Sequence, residues 1–359
     1  MQLCNKGIVL TMQFIDRKRC YKENAMTSTV LILGARGRFG LAAARAFADA
    51  GWRVLGHKRP GSVVPHEVAN DKRIEWLTSN LADTAALAQQ AAGAAVVVHA
   101  LNPAYTNQAW QTHVLPMTDA AIEVSRALGS TLMVVANVYN FGEGMPSVLR
   151  EDTPQNASTL KGRIRVAMEE KIRHLGVKNV LIRAGDFFGS GKGTWFDQAI
   201  VKDIRKGVFT YPGGLDVATA WAYLPDLART FVAVAEKRDQ LSAQEVFHFA
   251  GQAITGQQWL DALTPIARGQ KWVAAGAPVK YSRMPWLLIR MGALFVPTWA
   301  ALAEMRYLWD TPHALANDKL QALIGTEPRT PFGVATQQAL ADLGMLTSPA
   351  TGLALNVAH

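Results

Sequence analysis

The sequence predicts an α/β fold, in which a doubly wound parallel sheet is followed by a smaller, mostly helical C-terminal lobe. A β-branched apolar strand, Val30–Leu33, leads through a glycine-rich turn into an alanine-rich helix that ends near Ala50, and a second strand follows at Arg53–His57. Apolar strands and amphipathic helices then keep alternating as far as residue 183. Such alternation is typical of a parallel sheet covered by helices on both faces.

The remaining elements of this sheet are delimited by glycines, by polar caps and by the lengths of the apolar runs. These signals predict four further strands and three helices. The strands are Ile74–Leu77, Ala95–His99, Thr131–Ala136 and Asn179–Arg183, and the helices are Asp83–Ala92, Asn107–Leu128 and Thr159–Leu175.

The pattern changes after Gly185. Two glycine-rich loops, GSGKGTWFDQ and TYPGGLD, precede an amphipathic helix, a short strand is expected at Glu245–Ala250, and most of the remainder is helical in pattern. The apolar stretch from Trp286 to Met305 is interrupted by Arg290 and Pro297. It therefore predicts a helix pair that is buried or lines a pocket, and not a membrane span.

Length and composition suit this organisation. The chain has 359 residues, of which 49% are hydrophobic and 18% are charged, which is enough for one large domain or for a main domain with a smaller lobe. The predicted boundaries are 27–186 for the sheet domain and 187–359 for the lobe, which is expected to be partly interleaved with the sheet. The net charge of +9 is spread along the chain. It favours small anionic ligands over nucleic acid, and the alternative is a merely basic protein.

Residues 1–26 have no signal-peptide pattern and are predicted to form a disordered extension. The two cysteines, Cys4 and Cys20, both belong to this segment. The folded part therefore has neither a disulfide framework nor a thiolate zinc site, which is typical of the reducing cytoplasm. We predict a cytoplasmic protein with no metal site, because its histidines and carboxylates lack ligand spacing, and with neither a nucleic-acid nor a membrane partner.

The turn GARGRFG after the first strand predicts a dinucleotide-binding site. Gly34 permits the tight turn, Gly37 lets the backbone approach a pyrophosphate, and Gly40 allows the helix to pack closely on the sheet. The strand before it and the helix after it make the motif a strong signal of a Rossmann domain. The predicted cofactor contacts in this turn are Gly34, Arg36, Gly37, Arg38, Phe39 and Gly40.

The second strand indicates which dinucleotide is bound. An NAD site has an acidic residue about 20 positions after the turn, to hold the ribose hydroxyls. Here the strand runs into His57, Lys58 and Arg59 without a carboxylate, and Arg36 and Arg38 lie within the turn. These cations suit a 2′-phosphate, so NADP(H) is predicted over NAD(H). The alternative is that Lys58 and Arg59 are simply solvated at the start of a loop.

Several segments match a known superfamily in order. These are the glycine turn, SNLAD (79–83), VVVHALNP, NVYNFG, LIRAGDFFG and AWAYLPDLAR. Together they resemble the extended short-chain dehydrogenase/reductase superfamily, in its NAD-dependent epimerase/dehydratase-like group, over roughly residues 28–250. The resemblance implies that Asn80 and Leu81 lie near the adenine, with Asn80 replacing an aspartate. It also implies that Ala100 and Asn102 lie near the nicotinamide ribose.

The chain departs from this superfamily in its catalytic centre. Members carry a Ser or Thr after the fifth strand and a Tyr-x-x-x-Lys on the next helix, and the tyrosine exchanges a proton with the substrate oxygen. In the family a glutamate lies four residues after the lysine, and it aligns with Glu169. This alignment assigns Arg165 to the lysine position and Lys161 to the tyrosine position. The Ser/Thr position falls near Val135, and Asn137 is the nearest polar residue. All three expected groups are therefore replaced.

Four residues remain as catalytic candidates. Asn137 could hold a carbonyl or the ribose, and Tyr139 has a phenolic hydroxyl. Lys161 could act as an acid if its pKa were lowered, and Arg165 could bind ribose or phosphate but cannot exchange protons. The alternatives are that Asn137 only fixes a loop, that Tyr139 is core or pocket wall, and that Lys161 points into water. Asp186 is expected to cap or tie a loop.

We predict an NAD(P)-dependent oxidoreductase or epimerase-like enzyme that uses NADP(H), with NAD as the alternative cofactor. Its substrate would be a small carbonyl or alcohol, with sugar-like compounds included, and a homodimer is compatible with the sequence. Two alternatives stay open. One is a non-catalytic NADP(H)-binding sensor, which the missing catalytic groups favour, and the other is a non-redox use of the bound nucleotide.

Overall fold

The structure is a computed structural model, and it describes residues 28–347. Its strands follow in chain order. They are β1 (Thr29–Leu33), β2 (Arg53–Lys58), β3 (Ile74–Thr78), β4 (Ala94–His99), β5 (Thr131–Asn137), β6 (Val148–Leu149), β7 (Asn179–Ala184), β8 (Asp186–Phe188), β9 (Val208–Tyr211), β10 (Ala218–Tyr223), β11 (Gln244–His248), β12 (Gln252–Thr255), β13 (Lys280–Arg283) and β14 (Ala314–Leu315).

The α-helices of the described residues alternate with these strands at first and dominate the C-terminal part. They are α1 (Arg38–Asp49), α2 (Thr84–Gln90), α3 (Asn107–Leu128), α4 (Leu160–His174), α5 (Leu224–Glu236), α6 (Gly256–Gly269), α7 (Trp286–Gly292), α8 (Pro297–Glu304), α9 (Tyr307–Asp310), α10 (Asp318–Ile324) and α11 (Phe332–Asp342).

Seven strands form one parallel sheet in the order β3-β2-β1-β4-β5-β7-β11. The chain starts in the middle, at β1, winds outward to β3 and then crosses back to β4. This arrangement confirms the predicted doubly wound sheet, and each predicted strand agrees with the observed one to within two residues. The carboxyl ends of β1 and β4 lie side by side at the point where the winding direction changes, which is where such sheets bind ligands.

Both faces of the sheet are covered by helices. The side chains of β1 alternate between two apolar clusters, because successive side chains of a strand point to opposite faces. Val30 and Ile32 pack in the cluster that contains α1 and α5, whereas Leu31 and Leu33 pack in the cluster that contains α3 and α4. Both faces of the strand are therefore buried, which explains its uninterrupted apolar sequence.

The C-terminal part is interleaved with the sheet. After β7 a single residue, Gly185, separates the main sheet from β8, which pairs with β10 in a small second sheet. The chain later returns to the main sheet as β11, which pairs in parallel with β7 at its edge. The residues that follow the predicted boundary at 186 thus supply both the smaller lobe and the last strand of the large sheet.

The predicted helix pair is present as α7 and α8, but the expectation that it is buried is only partly correct. Its inner side packs on the lobe through Ile289 and Ala301, which are buried. Its outer side carries large apolar side chains that are exposed to solvent. The sequence periodicity of the segment could not predict this exposure, because the periodicity shows which side of a helix is apolar and not whether another element covers that side.

In the part of the chain that the structure describes, no helix has the length and apolar character needed to cross a membrane. The predicted extension at 1–26 and both cysteines lie outside the described residues.

Candidate active site

The glycine turn is shaped by close backbone contacts. Gly34 has a φ of +84°, and a Cβ there would lie 2.6 Å from the carbonyl oxygen of Ala100, at the end of β4. A Cβ on Gly40 would collide with the carbonyl oxygen of Gly34. The amide of Gly37 donates to that same carbonyl at 2.8 Å. Side chains at these positions would push the helix away from the sheet, so the glycines are required by the geometry of the turn.

The N-terminus of α1 is available to an anion. Gly37 occupies the cap position without a side chain to accept the first helical N–H groups, and the first turn has no acidic residue. The uncapped N–H groups and the helix dipole together favour a phosphate at this point. The turn therefore fits the pyrophosphate of a dinucleotide.

The side chains of the predicted cofactor contacts in the turn point to different surroundings. Arg36 is exposed. Arg38 donates to the carbonyl oxygen of Lys192 at 2.9 Å, so its guanidinium is held against the glycine-rich loop of the lobe. The ring of Phe39 packs edge-on against Phe231 with 4.8 Å between ring centroids. The side chain of Phe39 thus belongs to the core, and the predicted contact to a cofactor would have to be made by its backbone.

The adenine end of the predicted site is formed by the ends of β2 and β3, where Lys58 pairs in register with Thr78. The ammonium of Lys58 donates to the carbonyl oxygen of Ser62 at 3.3 Å, while Arg59 is exposed. Asn80 accepts from the amide of Ala82 at 3.1 Å and starts the turn into α2. Leu81 follows it, half-buried. These residues lie on adjacent strand ends, as the predicted site requires.

Asn137 and Tyr139 lie at the end of β5. The side-chain oxygen of Asn137 accepts from the amide of Tyr139 at 3.2 Å, and the residue is buried. This contact supports the alternative that Asn137 fixes the loop. The hydroxyl of Tyr139 lies 3.5 Å from that of Tyr105. Burial raises the pKa of Tyr139 well above its ordinary value, although Arg165 and Arg38 oppose the shift, so the phenol is a hydrogen-bond donor at neutral pH.

Arg165 lies on α4 beside the end of β4. Its guanidinium stacks 4.8 Å from the ring of Trp110 and donates to the side-chain oxygen of Asn102 at 3.2 Å. Its Nε is buried and has no hydrogen-bond partner in the described residues. Burial lowers the pKa of Arg165, but the group stays charged. A cation with an unused donor beside Asn102 suits the predicted contact to ribose or phosphate.

Lys161 is enclosed, contrary to the alternative in which it points into water. Its side chain has no exposed surface, and its ammonium contacts the Glu304 carboxylate at 3.2 Å, the carbonyl oxygen of Ala301 at 3.5 Å and the side-chain oxygen of Asn107. Burial lowers its pKa, while Glu304 raises it. Because its three hydrogens have three protein partners, the arrangement does not favour Lys161 as the acid that the sequence suggested.

Asp186 is a further titratable group at the carboxyl edge of the sheet, and it is half-buried. It follows β7 at the carboxyl edge of the sheet and starts β8, where it pairs with Trp221. Within residues 28–347 its carboxylate makes no hydrogen bond, so the expectation that it caps or ties a loop is wrong. Burial raises the pKa of Asp186 to about 7. A carboxyl group that is half protonated at neutral pH can both give and accept a proton.

Phenols surround this carboxyl group. Its charge contributes to raising the pKa of Tyr105, Tyr139, Tyr211 and Tyr307, although burial is the largest cause for each. The hydroxyl of Tyr307 is buried and has no partner among the described residues. The phenols near Asp186 are neutral hydrogen-bonding groups, which suits a polar ligand that offers an oxygen.

Two of these residues were missed or misread from the sequence. Glu304 lies far along the chain from α4, and nothing local to either segment indicates the pairing. For Asp186 the sequence does contain an indication, because the residue lies two positions after the buried strand β7, at the carboxyl edge of the sheet. In the described residues no group of three or more His, Cys, Asp or Glu residues could hold a metal ion.

The sheet order, the glycine turn and the cluster at the carboxyl edge define a nicotinamide-dinucleotide-binding enzyme of the short-chain dehydrogenase/reductase class. A sequence model of the NAD dependent epimerase/dehydratase family matches residues 30–250, and the chain belongs to this family. It is an epimerase/dehydratase-like enzyme with a nicotinamide cofactor. No curated protein is similar enough to the chain to count as a match.

Solved structures share the fold over nearly their whole length. A Burkholderia cenocepacia J2315 protein assigned as an epimerase is 19% identical, with a TM-score of 0.68 over 89% of this chain and 98% of that one. WbmH of Bordetella bronchiseptica, in complex with NAD+, is 17% identical, with a TM-score of 0.65 over 88% and 98%. A UDP-glucose 4-epimerase of Thermotoga maritima, with UDP-glucose, is 14% identical, with a TM-score of 0.64 over 88% and 98%.

Proposed function

We propose that this chain is an NADP(H)-dependent oxidoreductase that interconverts a small, uncharged carbonyl compound and its alcohol, with Asp186 as the group that exchanges the proton. The observation that carries this proposal is the unpartnered carboxyl of Asp186 beside Tyr139. Asn137 of β5 pairs in register with Ala184 of β7. Tyr139 follows Asn137 by two positions, and Asp186 follows Ala184 by two positions. Two adjacent strand ends thus bring a phenol and a carboxyl to the same edge of the sheet.

The roles follow from the protonation states. Tyr139, whose pKa is raised by burial, donates a hydrogen bond to the substrate oxygen and polarises the carbonyl. Asp186, whose pKa lies at about 7, gives its proton to that oxygen during reduction and accepts it during oxidation. When bound, the nicotinamide supplies or accepts the hydride. Asp186 would therefore take over the proton exchange for which relatives use a tyrosine.

The preference for NADP(H) rests on the adenine end of the site. The segment from β2 up to residue 66 contains no acidic residue that could hold the ribose hydroxyls. Arg36 and Arg59 are exposed there, and Lys58 is half-buried. Cations without a nearby carboxylate favour a 2′-phosphate.

The substrate class is inferred from the neutral phenols near Asp186. The ammonium of Lys161 is paired with Glu304, and the other two cations near Tyr139 are Arg165 and Arg38. Both arginines are assigned to the cofactor. The phenols and the carboxyl group then face an uncharged compound that offers an oxygen as hydrogen-bond acceptor.

Oxidation of NADPH at 340 nm tests this function. The probes are butane-2,3-dione and glyceraldehyde, and the variants are Asp186→Asn and, as a matched control, the exposed Asp239→Asn. We expect Asp186→Asn to keep its affinity for NADPH and to lose turnover by about 10²- to 10⁴-fold, whereas the control keeps full activity. Full turnover by Asp186→Asn would refute the assignment. NADPH binding without turnover by the wild type would favour a sensor.

A further inference from the structure

We propose that the hairpin formed by α7 and α8, residues 286–304, docks this protein onto the surface of an anionic membrane. The proposal does not depend on the reaction that the active site performs. It rests on the apolar outer side of the hairpin, on the charge around it and on how firmly its inner side is held.

The outer side of the hairpin is strongly apolar. Leu294 and Phe295, in the connection between the two helices, are 84% and 85% exposed, and Leu287 is 71% exposed. Side chains of this size are normally buried, and a contiguous group of them on a surface marks a contact site. The exposed group consists of Leu287, Leu288, Met291, Leu294, Phe295 and Trp299.

The exposure does not come from a loosely attached segment. Trp286 is buried and donates its indole N–H to the carbonyl oxygen of Pro212 at 2.7 Å. Ile289 and Ala301 are buried against the lobe. A Cβ on Gly292 would collide with the ring of Trp299, so the two helices pack closely. The hairpin is therefore a fixed element with a packed inner side and an apolar outer side.

The stretch of chain that contains the hairpin is cationic. Residues 262–303 contain no aspartate or glutamate. The segment nevertheless carries five basic residues, all of them exposed. They are Arg268, Lys271, Lys280, Arg283 and Arg290. Arg290 belongs to the hairpin and Arg283 lies three residues before it. An exposed apolar surface with exposed cations on the same element is the pattern that binds at the interface of an anionic bilayer, where apolar groups enter the acyl region and cations meet the headgroups.

A second copy of the chain fits this surface less well. A two-fold symmetric contact through the hairpin would bring the same cations of two copies together, and like charges oppose that contact. An anionic bilayer instead complements both the apolar and the basic groups. The helices of the hairpin have seven and eight residues, so they can lie in the interface but cannot span it. This proposal replaces the expectation that the chain has no membrane partner.

Vesicle co-sedimentation with the full chain tests the proposal. The vesicles contain either phosphatidylcholine alone or equal amounts of phosphatidylcholine and phosphatidylglycerol. We expect binding to the anionic vesicles that weakens as salt is added. The double variant Leu294→Glu/Phe295→Glu should bind at least tenfold more weakly, because it removes two inserted side chains. The control Val63→Glu/Val334→Glu changes exposed apolar residues elsewhere and should bind like the wild type.

A second pair of variants tests the charge. Arg283→Gln and Arg290→Gln should each lower the affinity for anionic vesicles about fivefold, while the melting temperature stays unchanged because both residues are exposed. Equal binding by wild type and Leu294→Glu/Phe295→Glu would overturn the proposal. The proposal would also be overturned if the wild-type chain sedimented with neither kind of vesicle. If the only change in a hairpin variant were a smaller mass in analytical ultracentrifugation, the hairpin would be assigned to contact with a second copy of the chain.

Discussion

The ammonium of Lys161 lies 3.2 Å from the carboxylate of Glu304, although 143 positions separate the two residues in the chain. The same carboxylate accepts from the backbone amides of Leu160 and Lys161, at the N-terminus of α4. Glu304 of α8 therefore supplies the negative charge that this basic helix start lacks. The contact joins α4 of the sheet domain to α8 of the lobe.

Removal of the cation should destabilise the fold. Lys161→Met leaves Glu304 largely buried without its partner, and breaking a buried pair in this way costs about 3–5 kcal/mol. We expect this loss in the free energy of unfolding by urea denaturation.

The double variant Lys161→Met/Glu304→Met provides the control. Because it removes both charges, it should recover much of the stability that the single variant loses. A Lys161→Met variant that is as stable as the wild type but inactive would restore the role of Lys161 as an acid.

Asp186 should limit the stability of the protein at neutral pH. Its pKa in the folded state is about 7, above the ordinary value of 3.8, so the folded state holds its proton more tightly than the unfolded state does. The contribution of Asp186 to stability is then greatest below pH 4 and falls as the pH rises through 7. Asp186→Asn keeps the shape without the charge.

We therefore expect Asp186→Asn to gain melting temperature relative to the wild type at pH 8, and to gain less at pH 4. Thermal melts at both values measure this difference. Equal gains at the two values would show that folding does not raise the pKa of Asp186, and a loss at pH 8 would show that the surroundings stabilise the carboxylate.

The cations after β2 should decide cofactor preference. In Lys58→Ala/Arg59→Ala a bound 2′-phosphate would lose charge-assisted hydrogen bonds, each of which contributes about 1.5–3 kcal/mol. We expect the dissociation constant for NADPH to rise at least tenfold and that for NADH to change little, as measured by fluorescence titration. Lys72→Ala removes an exposed cation elsewhere and is the control. Parallel weakening of both cofactors would contradict the 2′-phosphate site.

The sheet could be predicted closely because its signals are local. Val30–Leu33 and Asn107–Leu128 are an uninterrupted apolar run and a long periodic segment with caps, and both were located to within one residue. The glycine turn was predicted equally well, because the spacing of its glycines is itself a local motif, although the contact that requires Gly34 comes from Ala100 at the end of β4.

The chemistry of the site was less predictable because it depends on distant contacts. The environment of Lys161 is set by Glu304, and that of Asp186 by tyrosines that follow several different elements. An aspartate after a glycine is usually a loop-capping residue, and only the absence of a hydrogen-bond partner in the described residues separates Asp186 from that role. Likewise, the apolar run at 286–305 predicted two helices but not which side is exposed.

The pH dependence of NADPH oxidation tests the central claim most directly. A carboxyl group that donates a proton must be protonated, so the rate of carbonyl reduction at saturating NADPH should fall as the pH rises through about 7, the pKa of Asp186. In Asp186→Asn the remaining slow rate should lose this dependence. A wild-type profile that shows no decline near pH 7, or the same decline in Asp186→Asn, would contradict the assignment of Asp186 as the proton donor.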